Sequence, residues 1–140
     1  MYLKKVKLGI WKIYAVASNR GDCELLEFLL GLGANYEDNV NAVLALFDAI
    51  SEKAEGPQNI SSKKCHTITA DKKIWQVSVG RIRVAWFYDG DKIMICTHGF
   101  FKNSQETKES DKKHALKIRK DYLGDKVANN IHIIKEDGEE

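Results

Sequence analysis

Proline is nearly absent from this chain, with Pro57 alone among 140 residues, and no tract is of low complexity. Both absences argue against a disordered chain. No apolar run approaches the roughly 18 residues that a membrane-spanning helix needs, so no membrane partner is expected. The opening Met1-Tyr2-Leu3-Lys4-Lys5 lacks the apolar stretch and small-residue cleavage site of a secretory signal. Cysteine is scarce as well. Cys23, Cys65 and Cys96 are odd in number and far apart, which suits reduced thiols in a cytoplasmic protein better than a disulfide framework. Cys65, His66, Cys96 and His98 are four ligand types, but neighbours such as Cys65 and His66 point to opposite faces of a strand. No Cys-x-x-Cys or His-x-x-x-His spacing preorganises a site, so no metal is expected. No glycine-rich phosphate loop is present, and no cofactor is expected. Membrane, secreted and fibrous classes are excluded. What is present, 44% hydrophobic and 30% charged residues, suits a single domain over 1–140, with its core at about 10–123 and a tail at 124–140.

The formal net charge of +2 conceals a split. Residues 22–55 carry eight acids and one base, whereas residues 60–123 carry fourteen lysines and arginines against seven acids. Two solvated faces that differ in sign are one reading. The other is a polyanion on the later half, since clustered basic surface is the footprint of nucleic-acid binding even at near-neutral total charge.

Residues 10–17, rich in β-branched and aromatic types, predict a strand. Asp22 is the expected N-cap of a short leucine-rich helix over 25–32 that Gly31 and Gly33 end. A second helix follows, with Tyr36, Val40, Val43, Phe47 and Ile50 on one face. After a polar loop at 54–64 comes a β-meander, with strands at about 74–79, 81–88 and 92–98 and a weaker one near 65–69. A third helix is predicted at about 111–123, capped by Ser110 or Thr107, and residues 131–134 are a candidate edge strand. The expected fold class is therefore α+β, in the order β-α-α-β-β-β-α, with the helices on one side of a mainly antiparallel sheet.

Asp89-Gly90 predicts a two-residue hairpin turn, because both positions tolerate positive φ. Counting back from it pairs Trp86 with Ile93, Val84 with Ile95 and Ile82 with Thr97 on an apolar face. The opposite face then pairs Arg83 with Cys96 and Arg81 with His98, with Gln76 and Ser78 alongside and Lys102 just beyond the strand. If Gly80-Arg81 is itself a turn, Arg81 leaves the ladder while Arg83 and His98 keep that face. Such a set suits phosphodiester cleavage. Arginines neutralise a pentacoordinate phosphate with fixed, bidentate donors, a histidine moves the proton of a ribose hydroxyl or the leaving oxygen, and a lysine adds a second cation. The candidate catalytic residues are thus Arg83, Arg81, His98 and Lys102. Candidate RNA contacts are Gln76, Phe100, Lys112 and Lys113, with Phe100 or Phe101 offering a ring on which a base can stack. The competing reading makes His98 a core histidine and one of the two phenylalanines ordinary core.

The run Thr97-His98-Gly99-Phe100-Phe101-Lys102-Asn103-Ser104-Gln105-Glu106-Thr107 carries a resemblance, with Ile74-Trp75-Gln76, Gly80 through Asp89 and Ala115 through Tyr122. Together these resemble the phage-derived HigB-like branch of the RelE toxin superfamily over about residues 10–123. The resemblance implies a RelE-like domain and the toxin of a type II toxin–antitoxin pair: a ribosome-dependent mRNA endoribonuclease, or mRNA interferase, restrained by a cognate helix-turn-helix antitoxin. It places the family's basic residues on Arg81, Arg83 and Lys102. Gln76 stands where close relatives carry glutamate, Asn103 where a second base is common, and Lys108 where a proline usually starts the last helix. A catalytically weak RNA- or ribosome-binding protein and a protein that chiefly binds its antitoxin are the alternatives.

Overall fold

Apolar side chains alternate onto both faces of the central strands, and each face takes its own helical cover. The computed structural model describes residues 1–103 and 107–136; Ser104, Gln105 and Glu106 of the motif, and Asp137–Glu140 of the tail, lie outside the described residues. Among the described residues there are seven strands, β1 (Tyr2–Leu8), β2 (Lys12–Ala17), β3 (Cys65–Thr67), β4 (Trp75–Val79), β5 (Ile82–Tyr88), β6 (Ile93–Phe101) and β7 (His132–Ile133). Three α-helices accompany them, α1 (Glu24–Leu30), α2 (Glu37–Glu52) and α3 (Glu109–Val127). No helix among the described residues is long and apolar enough to cross a membrane.

The strands form one sheet in the order β3-β4-β5-β6-β2-β1-β7. β2 runs parallel to β6, and β7 parallel to β1; the other neighbours are antiparallel. Ile82, Val84 and Trp86 of β5 join Met94 and Cys96 of β6 in a core with Leu25 and Leu29 of α1 and Val43, Phe47 and Ile50 of α2. On the other face Ala85, Phe87, Ile95 and Phe100 pack with Ala115 and Tyr122 of α3.

This mixed α/β architecture corrects the expected α+β order β-α-α-β-β-β-α. The helices cover both faces instead of one, and the sheet is longer than a compact RelE-like meander. β1 escaped the sequence reading because Lys4, Lys5 and Lys7 dilute its pattern and Leu3 is its one buried residue. Lysines of this kind blunt strands near a sheet edge, and beyond β1 lies only the two-residue β7. The helix caps differ too: Cys23 and Lys108 stand at the N-caps of α1 and α3, without side-chain capping bonds.

The hairpin register is a second correction. The Asp89 amide bonds the Ile93 carbonyl across Gly90-Asp91-Lys92, a longer loop in which Lys92 holds φ +62°. Tyr88 therefore pairs with Met94 and Trp86 with Cys96; a bulge then shifts the ladder so that Ala85 pairs with His98 and Arg83 with Phe100. The odd slide exchanges the faces of the first half of β6. Alternation did not reveal this because both faces are buried, and apolar residues satisfy either register. Arg81 lies outside the strands, in the Gly80-Arg81 turn that joins Val79 to Ile82.

Two glycines permit the close packing. A Cβ on Gly99 would lie 2.4 Å from the Phe28 ring of α1, and one on Gly56, where φ is +60°, would lie 2.1 Å from Trp11.

Asp89, 7% exposed, ties α3 to the sheet. Its carboxylate accepts hydrogen bonds from the Tyr122 hydroxyl and the Lys126 ammonium. We expect Asp89→Ala to lower unfolding free energy by about 1.5–3 kcal/mol, as hydrogen bonds to a charged group contribute. Lys126→Ala, at a half-exposed partner, should cost less than about 1 kcal/mol. Urea unfolding of the two variants checks the order.

Candidate nucleic-acid interface

The hairpin end of the sheet gathers basic side chains around two connected concavities. The first, a cleft of about 260 Å³, opens between the β3–β4 pair and the start of α3; His66, Gln76, Lys102, Thr107 and Lys112 line it with Thr67 and Ile68. Antiparallel pairing sets His66 directly opposite Gln76. Gln76 is 1% exposed, and its amide is fully directed. Nε2 donates to His66 Nε2 at 3.1 Å, and Oε1 accepts from the Thr107 hydroxyl at 3.2 Å. In the neutral ring this leaves Nδ1 as the N–H of His66. Lys102 enters from the end of β6, where its amide bonds the Arg81 carbonyl at 2.9 Å. Lys112 comes from the first turn of α3 and meets Glu109 at 3.4 Å at the rim. Among the described residues no acid lines the cleft.

The second concavity, about 590 Å³, lies between the β4–β5 hairpin and α2, with Arg83, Lys63, Lys64 and Ser78 facing Ala42, Ala45 and Leu46. The Arg83 guanidinium folds back over the turn, Nη1 donating to the carbonyls of Gly80 at 2.7 Å and Ile82 at 2.9 Å. Partial burial pulls its pKa below the usual arginine value, yet arginine stays charged at any physiological pH. Ser78 is shared, since Gln76 Nε2 also reaches its hydroxyl at 3.5 Å. Arg81 sits exposed at the tip, where Nη2 donates to Asn103 Oδ1 at 2.9 Å.

The segment that builds both concavities is also the one that a known family shares. Residues 32–120 match the family model described as phage-derived protein Gp49-like (DUF891). The chain belongs to that family. The match spans α2, β3 to β6 and most of α3, and the family is one of RelE-like, toxin–antitoxin-related proteins. No curated protein matches the chain.

Of the residues singled out from sequence, the fold brings Gln76, Lys102 and Lys112 into one cleft and Arg83 into the groove beside it. Lys113 is exposed on α3, outside both. Phe100 is 8% exposed and stacks on His98 within the α3-side core, so its ring is not offered to a base. In the sequence His66 stands out only as a metal-ligand type. The signal that it belongs to the site is its strand pairing with Gln76, which a seven-residue connection between β3 and β4 conceals. The cysteines contribute no activated thiol: burial pushes Cys65 up to about 11 and raises Cys23 and Cys96 as well.

His98 occupies a different place from the cleft. It is 3% exposed, and both ring nitrogens are engaged. In the neutral ring Nε2 donates to Asp111 Oδ1 at 3.1 Å and Nδ1 accepts from the Thr97 hydroxyl at 3.0 Å, a proton the hydroxyl shares with the Ala85 carbonyl at 3.3 Å. His114 packs edge-on against its ring and donates to Glu24 at 3.0 Å. Burial lowers the pKa of His98 below the usual 6.5. The Asp111 hydrogen bond opposes that shift, His114 reinforces it, and Glu24 opposes it.

A histidine whose folded-state pKa is depressed contributes its stability fully above the unfolded value and loses it as pH falls through the folded one. Stability should therefore hold above pH 6.5 and decline below it. His98→Gln, which cannot titrate, should show a shallower decline. Thermal melts of both proteins across that range check this; parallel slopes would remove His98 from the account.

Proposed function

We propose that the chain is the toxin of a type II toxin–antitoxin pair, of the HigB-like kind, and that it cleaves mRNA during translation in the cytoplasm. The observation that carries the reading is the convergence of a histidine, a directed amide and two lysines in one cleft. In this reading Lys102 and Lys112 neutralise the scissile phosphate as negative charge builds on it. His66 moves the proton of the 2′-hydroxyl or of the leaving oxygen through Nε2, exchanging the Gln76 hydrogen bond for one to the substrate. Arg83 and Arg81 hold flanking phosphates, Arg83 with the planar fork that lysine lacks. His98, both nitrogens occupied, positions α3 and so Lys112. With Gln76 in place of a glutamate, His66 is the acid–base group among the described residues of the cleft.

A cognate helix-turn-helix antitoxin has a separate surface available. The groove between α1 and α2 is lined by Leu29, Val40 and Leu44. Leu30 at its edge is 82% exposed, and the surrounding helices carry the chain's acidic excess. Charge and apolar area there suit a protein partner better than a polyanion.

Expression without a partner should arrest growth with cut transcripts. His66→Ala should lower the cleavage rate about 10²–10⁴-fold with RNA affinity little changed, as loss of a general acid or base does. Lys102→Ala should weaken binding and rate together. Cleavage of reporter mRNA in a translating extract, with binding measured separately, distinguishes the two. A His66→Ala protein that cleaves like the parent would falsify the role given to His66.

A further inference from the structure

The groove on the α2 side of the β4–β5 hairpin contributes only Arg83 to the reading above, yet it has the features of a binding site of its own. Its volume, about 590 Å³, falls in the range of small-ligand pockets. One wall is cationic, with Arg83, Lys63 and Lys64, and the facing wall is apolar, with Ala42, Ala45 and Leu46; among the described residues no acid lines it. Arg83 is partly desolvated, and its Nε is buried without a partner among the described residues. A guanidinium and two ammoniums on one rim, with no carboxylate among the described lining residues, favour an anion, and the apolar wall opposite favours an anion that carries an apolar body. A nucleotide has both parts.

We propose that this groove is a nucleotide subsite: it takes one phosphate of a single-stranded RNA on Arg83, Lys63 and Lys64, and lays the attached base against Ala42, Ala45 and Leu46. The inference rests on the RNA-cleaving reading of the neighbouring cleft and deepens it by naming what selects the nucleotide beside the cut. Ser78 and Gln76 join the two concavities. They lie two residues apart on β4, about 7 Å along the strand, a separation that successive phosphates of an extended single strand can span. Gln76 addresses the cleft and Ser78 the groove, so one strand of RNA can occupy both. The Arg83 guanidinium also offers a face on which a base can stack.

The test uses the full chain and fluorescein-labelled single-stranded RNA hexamers followed by fluorescence anisotropy, with each base removed in turn while its sugar and phosphate are kept. One position should bind about fivefold more weakly when abasic, within what burial of a single base contributes. Ala45→Phe fills the groove from an exposed helix position, so the fold tolerates it. In that variant the intact hexamer should bind as weakly as the abasic one, and the abasic penalty should vanish. Lys63→Ala with Lys64→Ala should flatten the salt dependence by about 0.7 for each phosphate no longer neutralised. If the parent binds these hexamers with steep salt dependence but Ala45→Phe leaves every affinity unchanged, the subsite is wrong and the function stands. If the parent binds no RNA, both fall. Displacement of bound RNA by a glutamate-rich peptide in the parent and equally in Ala45→Phe would assign the cations to a protein ligand and overturn the base-binding role.

Discussion

The seating of α3 on the sheet is the constraint on which the site depends. The helix runs back along β6 and is fastened at both ends. At its C-terminal end Tyr122 and Lys126 hold the buried carboxylate of Asp89, and at its N-terminal end Asp111 accepts the hydrogen bond of His98. Between them Ala115 lies flat against the sheet with no exposed surface. The cleft has one wall from β3 and β4 and the other from Thr107 and Lys112, which lead into α3. If the helix slid, Lys112 would leave the cleft and the Thr107 hydroxyl would leave Gln76. Residues far from the cleft, such as Asp89, thereby set its geometry.

Electrostatics divides the molecule along the same lines. The acids are concentrated on α1 and α2, and cations crowd the hairpin end: Lys63, Lys64, Arg81, Arg83, Lys102 and Lys112. Desolvation is graded across this region. Arg81 is exposed, Arg83 is partly buried, and His98 is deep enough that its charged form is disfavoured. A charge close to solvent attracts a polyanion from a distance, and a partly desolvated one holds a phosphate more firmly once docked.

Much of this organisation was legible in the residues, and what was not has identifiable physical causes. β2, β4, β5, β6 and the three helices announce themselves through β-branched runs and helical periodicity, and Gly80-Arg81 was readable as an alternative turn. β1 was hidden by its lysines, while β3 and β7, short as they are, fall within the weaker strand expected near 65–69 and the edge strand expected at 131–134. The β5–β6 register was missed because Asp89 is used as an anchor for α3 rather than as the first residue of a tight turn. Phe100 keeps the face expected for it, but α3 covers that face and takes the ring into its core. Arg83, Lys102, Gln76 and Lys112 stand out by charge and position, and the fold puts them at one end of the sheet. His66 has no catalytic signal of its own, because its pairing with Gln76 depends on a long-range strand register that local spacing does not encode.

The central claim is that the reacting end of an RNA substrate meets His66 in the cleft while His98 remains a buried fastening for α3. Histidine ring resonances, followed by ¹H–¹⁵N NMR as a non-cleavable single-stranded RNA carrying a 2′-deoxy sugar at the cut is added, test it directly. The His66 resonances should shift while those of His98 and His114 stay unmoved. Shifts at His98 with His66 silent would contradict it and return the proton-transfer role to the motif histidine.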